Sequence, residues 1–178
     1  MLLRPRDEPR LWPSLFAECR VSAFHFEQRD TYAVPEEAER IRRYLSGEEA
    51  IPAPSREWPD LVRDAVVRGL SMSRVRVVTV PHTEYHRWLL SITKVRVEDG
   101  EDIRYLPRHL AGDVPPDDWW LMDAERVAYN VVDVTGAPIG IAITTDPKIA
   151  AYCEEVRQRL WKLAIPYADY VESEFVDR

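Results

Sequence analysis

The segment from Ser73 to Leu90, SRVRVVTVPHTEYHRWLL, holds the side chains of this sequence that are best suited to chemistry. Arg74 and Arg76 alternate with valines, so in a strand both guanidinium groups point to the same side of the sheet. Guanidinium groups bind phosphate and carboxylate through paired hydrogen bonds. With Tyr85 and Arg87 close behind, the pattern predicts a site for an anionic ligand.

The same arginines have a second interpretation, in which they are neutralised inside the protein. The remaining candidate site residues are His86, Glu101, Asp102, Arg104 and Asp123. The three acids would pair with the arginines as an internal ion network, and Arg104 would join Arg87 at the same sheet edge. Both interpretations link these residues structurally, so the sequence leaves open whether they form a ligand pocket or a network.

Two histidines in the same segment raise the possibility of a metal site. His82 and His86 are four residues apart, which would put both on one face of a helix. A zinc-protease helix carries glutamate directly after its first histidine, whereas Glu84 is second after it here, and no third ligand follows at a recognisable spacing. We therefore expect hydrogen-bonded or solvent-facing histidines, with no metal and no catalytic residue.

Composition narrows the function classes. The net charge of -7 argues against direct binding to nucleic acid, which needs a basic face. No glycine-rich phosphate loop occurs among the six glycines, so we expect no cofactor. The start of the chain lacks a signal-peptide pattern, and no apolar run is long enough for a membrane. Cys19 and Cys153 are predicted to be reduced and structural, which fits the cytoplasm.

The tryptophans and acid pairs are predicted to have ordinary structural roles. Trp119 and Trp120 are adjacent on a strand, so they face opposite sides of the sheet and pack into different layers. Asp117 and Asp118 fall in a loop without a matched partner, which favours solvated charge over an acid/base pair.

The elements that position these residues follow from periodicity, proline and glycine. We predict helices over 12–19, 35–47, 55–70 and 82–90, strands over 21–27, 74–80, 103–106 and 119–122, a linker at 48–55, a loop at 107–118, a hairpin over 126–134 and 139–144, a long helix from Pro147 that Pro166 ends, and a short helix within 167–175. This order predicts a single α/β domain, 1–178, with a mixed sheet flanked by helices. Residues 1–70 would form a mostly helical N-terminal part packed on an α/β core, 71–178.

A series of motifs, in order from end to end, resembles an uncharacterised actinobacterial domain-of-unknown-function family, number 6879. The motifs are Tyr32-Ala-Val-Pro-Glu-Glu, Tyr44-Leu-Ser-Gly47, Ser73-Arg-Val-Arg-Val-Val, Tyr85-x-Arg-Trp, Gly100-Glu-Asp-Ile-Arg104, Trp119-Trp-Leu-Met-Asp123 and Ala164-x-Pro-x-Ala-x-Tyr170. The resemblance implies a genomic context, near helix-turn-helix regulators, and no known activity. A conflict-system effector or its antidote is a further reading of that context.

Residues 73–166 also look like a phospholipase-D-like domain, in the degenerate form appended to some transcription regulators. Catalytic members carry histidine and lysine as HxK on the strand before an acidic residue. The corresponding stretch here, DDWWLMD, keeps only Asp123. The resemblance therefore implies the fold without the phosphodiesterase chemistry.

The leading hypothesis from the sequence is a non-catalytic regulatory accessory protein. It would partner a helix-turn-helix regulator and bind an anionic small molecule near Arg74, Arg76, Tyr85 and Arg87. The alternative is a transferase or hydrolase acting on a phosphorylated or nucleotide substrate, with His86, Glu101 or Asp102 as proton carrier.

Overall fold

An eight-stranded mixed sheet organises the computed structural model, which describes residues 2–3, 10–48 and 57–176. Its strands are β1 (Leu2–Leu3), β2 (Ser22–Glu27), β3 (Ser71–Val78), β4 (Asp102–Pro107), β5 (Trp119–Met122), β6 (Arg126–Val132), β7 (Pro138–Thr144) and β8 (Ile165–Pro166). Its helices are α1 (Leu11–Glu18), α2 (Pro35–Leu45), α3 (Glu57–Val67), α4 (Glu84–Glu98), α5 (Arg108–Ala111), α6 (Pro147–Leu163) and α7 (Tyr167–Tyr170).

The strands lie in the order β1-β7-β6-β5-β2-β3-β4-β8. β2, β3 and β4 run parallel to one another, while β5, β6 and β7 form an antiparallel meander that joins the parallel part at β2. The sheet is therefore mixed and covered by helices, as the sequence predicts. In the register between β2 and β3, Glu27 lies opposite Arg76. This pairing puts a carboxylate beside a guanidinium group on one face of the sheet.

Each face of the sheet has its own apolar core. On one face α6 packs against Val75, Val77 and Trp119, and on the other α1 and α3 pack against Trp120 and its neighbours. Trp119 and Trp120 thus enter different layers, as strand alternation predicts. The second face is apolar around α1 and α3 and again around Val78, Ile103 and Tyr105; beneath α4 it also carries Arg74 and Arg76.

Helix signals in the sequence match the observed boundaries. The Asp146 side chain accepts a hydrogen bond from the Lys148 backbone N–H at 2.8 Å, and Pro147 occupies the first position of α6. At α4 the Thr83 hydroxyl accepts from the His86 N–H at 3.2 Å. Within residues 2–3, 10–48 and 57–176, every helix is too short or too polar to span a bilayer.

The structure corrects some predicted boundaries. α4 continues to Glu98 instead of ending at Leu90, because its buried stripe goes on through the polar Thr93. The predicted loop 107–118 contains the short helix α5. The predicted division at residue 70 does not separate a helical part from the sheet. β2, which belongs to the first 70 residues, lies within the sheet between β5 and β3. The predicted linker 48–55, apart from residue 48, and the predicted cap Ser55 lie outside the described residues.

Candidate functional site

Arg74 and Arg76 project from the same side of β3 and are almost completely buried. Their side chains are 3% and 2% exposed, respectively. The valines between and after them enter the α6 core on the opposite face. Two guanidinium groups in such a place need partners, because an unpaired buried charge costs several kcal/mol, on the order of 3–5.

Glu27 of β2 bridges the two arginines. Its Oε1 accepts from Arg74 Nη1, and its Oε2 accepts from Arg76 Nε at 2.5 Å. Glu101, in the turn between α4 and β4, accepts from Arg74 Nε at 2.6 Å. Although burial opposes ionisation, the guanidinium groups of Arg74 and Arg76 hold the pKa of Glu27 well below its usual range. The four side chains form a buried network with two charges of each sign.

Neutral groups complete the network. Arg76 Nη1 donates to the Thr93 hydroxyl and to the Tyr105 hydroxyl, both at 2.9 Å. The Arg74 guanidinium lies 5.5 Å from the ring of Trp120, and His25 stacks on that ring at 4.2 Å. Burial, followed by the charge of Arg74, lowers the pKa of His25 well below its usual value, so His25 is neutral at pH 7.

A cavity of about 860 Å³ lies above this network, between the sheet, α4 and the segment that leads into α2. Its polar lining consists of His25, Glu27, Tyr32, Glu37, Arg76, Tyr85, Arg96, Asp118 and Asn130. Its apolar wall comes from Trp12, Leu89 and the end of the β6–β7 hairpin. Such a volume, with an apolar wall and a few polar groups, is typical of a small-molecule site.

Arg96 is the second arginine of this lining, and the charges of Glu101 and Glu27 act on it without an ion pair. It lies on α4, half-buried, and makes no hydrogen bond or ion pair with any residue in the described part of the chain. Burial, together with the nearby charges of Arg74 and Arg76, lowers its pKa from the usual value for arginine. An anionic group entering the cavity would find donors of Arg96 still available.

Two carboxyl groups in the cavity are each paired with a tyrosine hydroxyl. Tyr32 donates to Asp118, which also accepts from the Gln28 backbone N–H at 3.0 Å. Tyr85 donates to Glu37 Oε2 at 2.8 Å. The two tyrosine rings are 5.4 Å apart, so the pairs form one layer.

Burial changes the titration of both carboxyl groups. It raises the pKa of Asp118 to about 6, and it raises the pKa of Glu37 above its usual value. The hydrogen bonds from Tyr32 and Tyr85 act in the opposite direction without cancelling the effect of burial. The charge of the cavity therefore depends on these two groups.

The structure brings together Arg74, Arg76, Tyr85 and Glu101 from the predicted site. Arg76 and Tyr85 line the cavity, while Arg74 and Glu101 belong to the network beside it. The ion network, one of the two interpretations that the sequence leaves open, thus lies beside a cavity that Arg76 lines and Arg74 does not.

Other predicted residues lie elsewhere. Arg87 is exposed on α4. Arg104 lies on the opposite face, with its guanidinium 3.8 Å from the Trp161 ring, so it does not join Arg87 at one edge. Asp102 is exposed and lies 3.4 Å from Arg104. Asp123 accepts three backbone N–H groups, those of residues 20–22, and touches neither Arg74 nor Arg76.

The histidines of the opening segment are packed beside the cavity rather than in it. His82 Nε2 lies 2.8 Å from the Tyr170 hydroxyl. His86 is buried, with Nδ1 3.9 Å from Asp30, and burial lowers its pKa to about 4. In the described residues no group of three or more potential ligands clusters as a metal site.

Sequence reasoning missed Glu27, Arg96 and Asp118. Alternation along 21–27 puts Glu27 on the face of His25, and only the register with β3 shows that this is the face of Arg76. Arg96 is seven residues after Leu89 and three after Thr93, a helical spacing that extends the buried stripe of α4. Asp118 was expected to be solvated beside Asp117; it is 1% exposed, because β5 begins directly after it.

Comparison with known proteins gives a family and a fold. The model of a family described as a domain of unknown function, DUF6879, matches residues 11–172. No curated protein is significantly similar to the chain. Solved structures similar to it include Nuc, a phospholipase D family member from Salmonella typhimurium, at 13% identity and a TM-score of 0.56, covering 94% of this chain and 96% of that one.

Two further solved structures are similar at comparable levels. NucT from Helicobacter pylori has 10% identity and a TM-score of 0.50, with 93% of this chain and 96% of that chain covered. TrmBL2, described as an archaeal chromatin protein with a novel mode of DNA binding, has 13% identity and a TM-score of 0.51. That match covers 93% of this chain and 53% of TrmBL2, so the chain spans about half of that protein. The fold is therefore phospholipase-D-like, as the sequence predicts.

We expect Glu27→Gln to destabilise the protein by about 3–5 kcal/mol, because both buried arginines lose part of their neutralising charge. Urea unfolding followed by circular dichroism measures the change. Glu39→Gln is the matched control, since Glu39 also pairs with an arginine, Arg42, but in a 55% exposed position. If Glu27→Gln lowers the free energy of unfolding no more than Glu39→Gln does, the buried network does not contribute the expected stability.

We expect Asp118→Asn to remove a pH dependence of stability. The folded pKa of about 6 lies above the ordinary aspartate value, so the proton stabilises the folded state at low pH. This contribution is complete below about pH 4 and is lost as pH rises through 6; its size is on the order of 2–3 kcal/mol. The free-energy difference between Asp118→Asn and wild type should therefore change between pH 4 and 7.

Thermal unfolding of both proteins across this range is the measurement. Asp117→Asn is the control, because Asp117 is the exposed neighbour of Asp118. Parallel pH profiles for wild type and Asp118→Asn would show that Asp118 ionises normally.

Proposed function

The chain belongs to the DUF6879 family of domains of unknown function, and we propose that it is a non-catalytic binding domain for a small ligand with an anionic group. The observation that carries the proposal is Arg96, which lines a cavity of about 860 Å³ and makes no ion pair with any described residue. Arg76 and Tyr85 contribute polar atoms to the same lining. The ligand's anionic group would bind Arg96 and its remainder would fill the cavity.

The buried network supports the assignment to Arg96 rather than to Arg74 or Arg76. Both strand arginines already donate to Glu27, and Arg74 also donates to Glu101. An incoming anion would have to compete with these carboxylates in a dry environment. Arg96 has no such competitor among the described residues, so it offers its guanidinium at lower cost.

The sequence of β5 supports a function without catalysis. The strand reads WWLM and carries neither the histidine nor the lysine of catalytic phospholipase-D-like domains. The other proton carriers considered from the sequence do not line the cavity: Glu101 is held by Arg74, Asp102 is exposed, and His86 is packed beside Asp30.

We further propose that occupancy of the cavity is communicated to a helix-turn-helix regulator in the cytoplasm of an actinobacterium. The family resemblance supports this context, and the two free, buried thiols fit a reducing compartment. TrmBL2, of which this chain matches about half, is described as DNA-binding. The proposal would combine a fold of this kind with DNA binding in two separate chains.

Arg96→Gln tests the anion site. Hexanoate and inorganic phosphate, at matched ionic strength, serve as probes in thermal-shift titrations, because a ligand of the folded state raises the melting temperature. We expect at least one of the two probes to raise the melting temperature of wild type. That probe should bind at least about 10-fold more weakly to Arg96→Gln. The control is Arg87→Gln, which removes an exposed arginine of the same helix. Equal responses of the two variants, or no response of wild type to either anion, would refute the proposal.

Gel filtration tests the partner. The purified protein and a regulator encoded beside it should co-elute at micromolar concentration. Separate elution at that concentration would rule out the proposed partnership while leaving the anion site intact.

One observation favours an enzyme over a binding domain, and it concerns the carboxyl group of Asp118. Its pKa of about 6 suits a group that exchanges protons near neutral pH, and it faces the cavity. Bis(p-nitrophenyl) phosphate is a general probe for phosphodiester hydrolysis. Turnover by wild type that Asp118→Asn abolishes would establish the alternative, whereas a rate equal to that of buffer supports the binding domain.

A further inference from the structure

The charges around the cavity do not suit a polyanion. Arg74, Arg76, Glu27 and Glu101 neutralise one another within the network. The charged side chains that remain in the lining are Arg96 and the two carboxyl groups of Glu37 and Asp118. A triphosphate or diphosphate would meet one guanidinium and two carboxyl groups, and the carboxylates would repel it.

The carboxyl groups retain capacity to accept hydrogen bonds. An ionised carboxylate has about four lone-pair positions. Glu37 accepts only from Tyr85, and Asp118 accepts from Tyr32 and Gln28, among the described residues. A ligand N–H group would find free acceptor positions here. Burial raises the pKa of both groups, while the charge of Arg96 acts on Glu37 in the opposite direction.

The body of the ligand would contact an apolar surface. Trp12, Leu89, Val131, Ile139 and Ile141 contribute apolar side chains to the lining of the cavity. Removing apolar ligand surface from water there contributes about 25 cal/mol per Å². A small polar ion such as phosphate would leave this surface uncovered.

From these three features we infer that the cavity binds a zwitterion with an apolar body, of the class of amino acids. Its carboxylate pairs with Arg96, its ammonium group binds Glu37 and the neighbouring Asp118, and its hydrocarbon part lies against the apolar wall. The inference rests on the proposed function, because it uses the same arginine. The zwitterion takes the place of the phosphorylated ligand considered from the sequence, and it carries one positive and one negative charge.

Four compounds with the same six-carbon chain separate the contributions of the two charges. They are hexanoate, hexylamine, 2-aminohexanoate and 6-aminohexanoate, and inorganic phosphate serves as the multiply charged anion. Isothermal titration calorimetry at pH 7.5 gives each dissociation constant. We expect one of the two amino acids to bind at least about 10-fold more tightly than both singly charged compounds and phosphate. The preferred isomer reports how far apart the two binding groups lie.

Two variants assign the charges. Arg96→Gln should abolish the amino acid's advantage over hexylamine, and Glu37→Gln should weaken its advantage over hexanoate. Hexylamine binding to Arg96→Gln at the wild-type level shows that this variant is folded. Glu39→Gln on the same helix is the control for Glu37→Gln, because Glu39 is exposed and paired with Arg42.

The outcomes distinguish this inference from the proposed function. Hexanoate or phosphate binding as tightly as the amino acids, and still depending on Arg96, would overturn the zwitterion and preserve the anion site. Binding of the amino acids that neither Arg96→Gln nor Glu37→Gln changes would overturn the inference as well. If none of the five compounds binds, both the inference and the anion site fail.

Discussion

Two arginines on the inward face of a central strand have to be neutralised where they lie, and the rest of the structure is arranged around that requirement. Arg74 and Arg76 are 3% and 2% exposed, so water cannot solvate their charges. Carboxylates must compensate these charges instead. Glu27 fulfils this role from the neighbouring strand. A slip of one residue between β2 and β3 would turn Glu27 to the α6 core, leaving Arg76 without a carboxylate and Arg74 with Glu101 alone. The ion network therefore specifies the register at the centre of the sheet.

The same requirement positions α4. Thr93 gives Arg76 a hydroxyl partner from the middle of the helix, and Glu101 reaches Arg74 from the turn that follows it. The sheet surface beneath α4 therefore carries charged as well as apolar side chains. The space that remains between α4, the sheet and α2 becomes the cavity, and Arg96 is left at its border.

Much of this fold could be predicted from the sequence, because most elements follow short-range rules. Alternating valines predict β3, and proline with a preceding cap residue predicts α6. The candidate site could be predicted only in part, since it depends on which strands are neighbours. Glu27 and Arg76 are far apart in sequence and meet through the parallel pairing of β2 and β3. The inward position of Asp118 likewise follows from tertiary packing, whereas an aspartate pair after two prolines is typical of a solvated turn.

The two ends of β5 show why the fold alone does not define the chemistry. Asp123 follows the strand, and although partial burial opposes its ionisation, three backbone N–H groups hold its pKa below the usual value. Asp118 precedes the strand, and burial raises its pKa to about 6 despite the hydrogen bond from Tyr32. The acid after β5, Asp123, thus holds the backbone of residues 20–22, and the acid before it, Asp118, faces the cavity. A phospholipase-D-like fold can keep this scaffold while losing the histidine and lysine, because neither is needed to hold β5 in the sheet. The cavity beside it is lined by the charged groups of Arg96, Glu37 and Asp118, which are side chains that the fold alone does not specify.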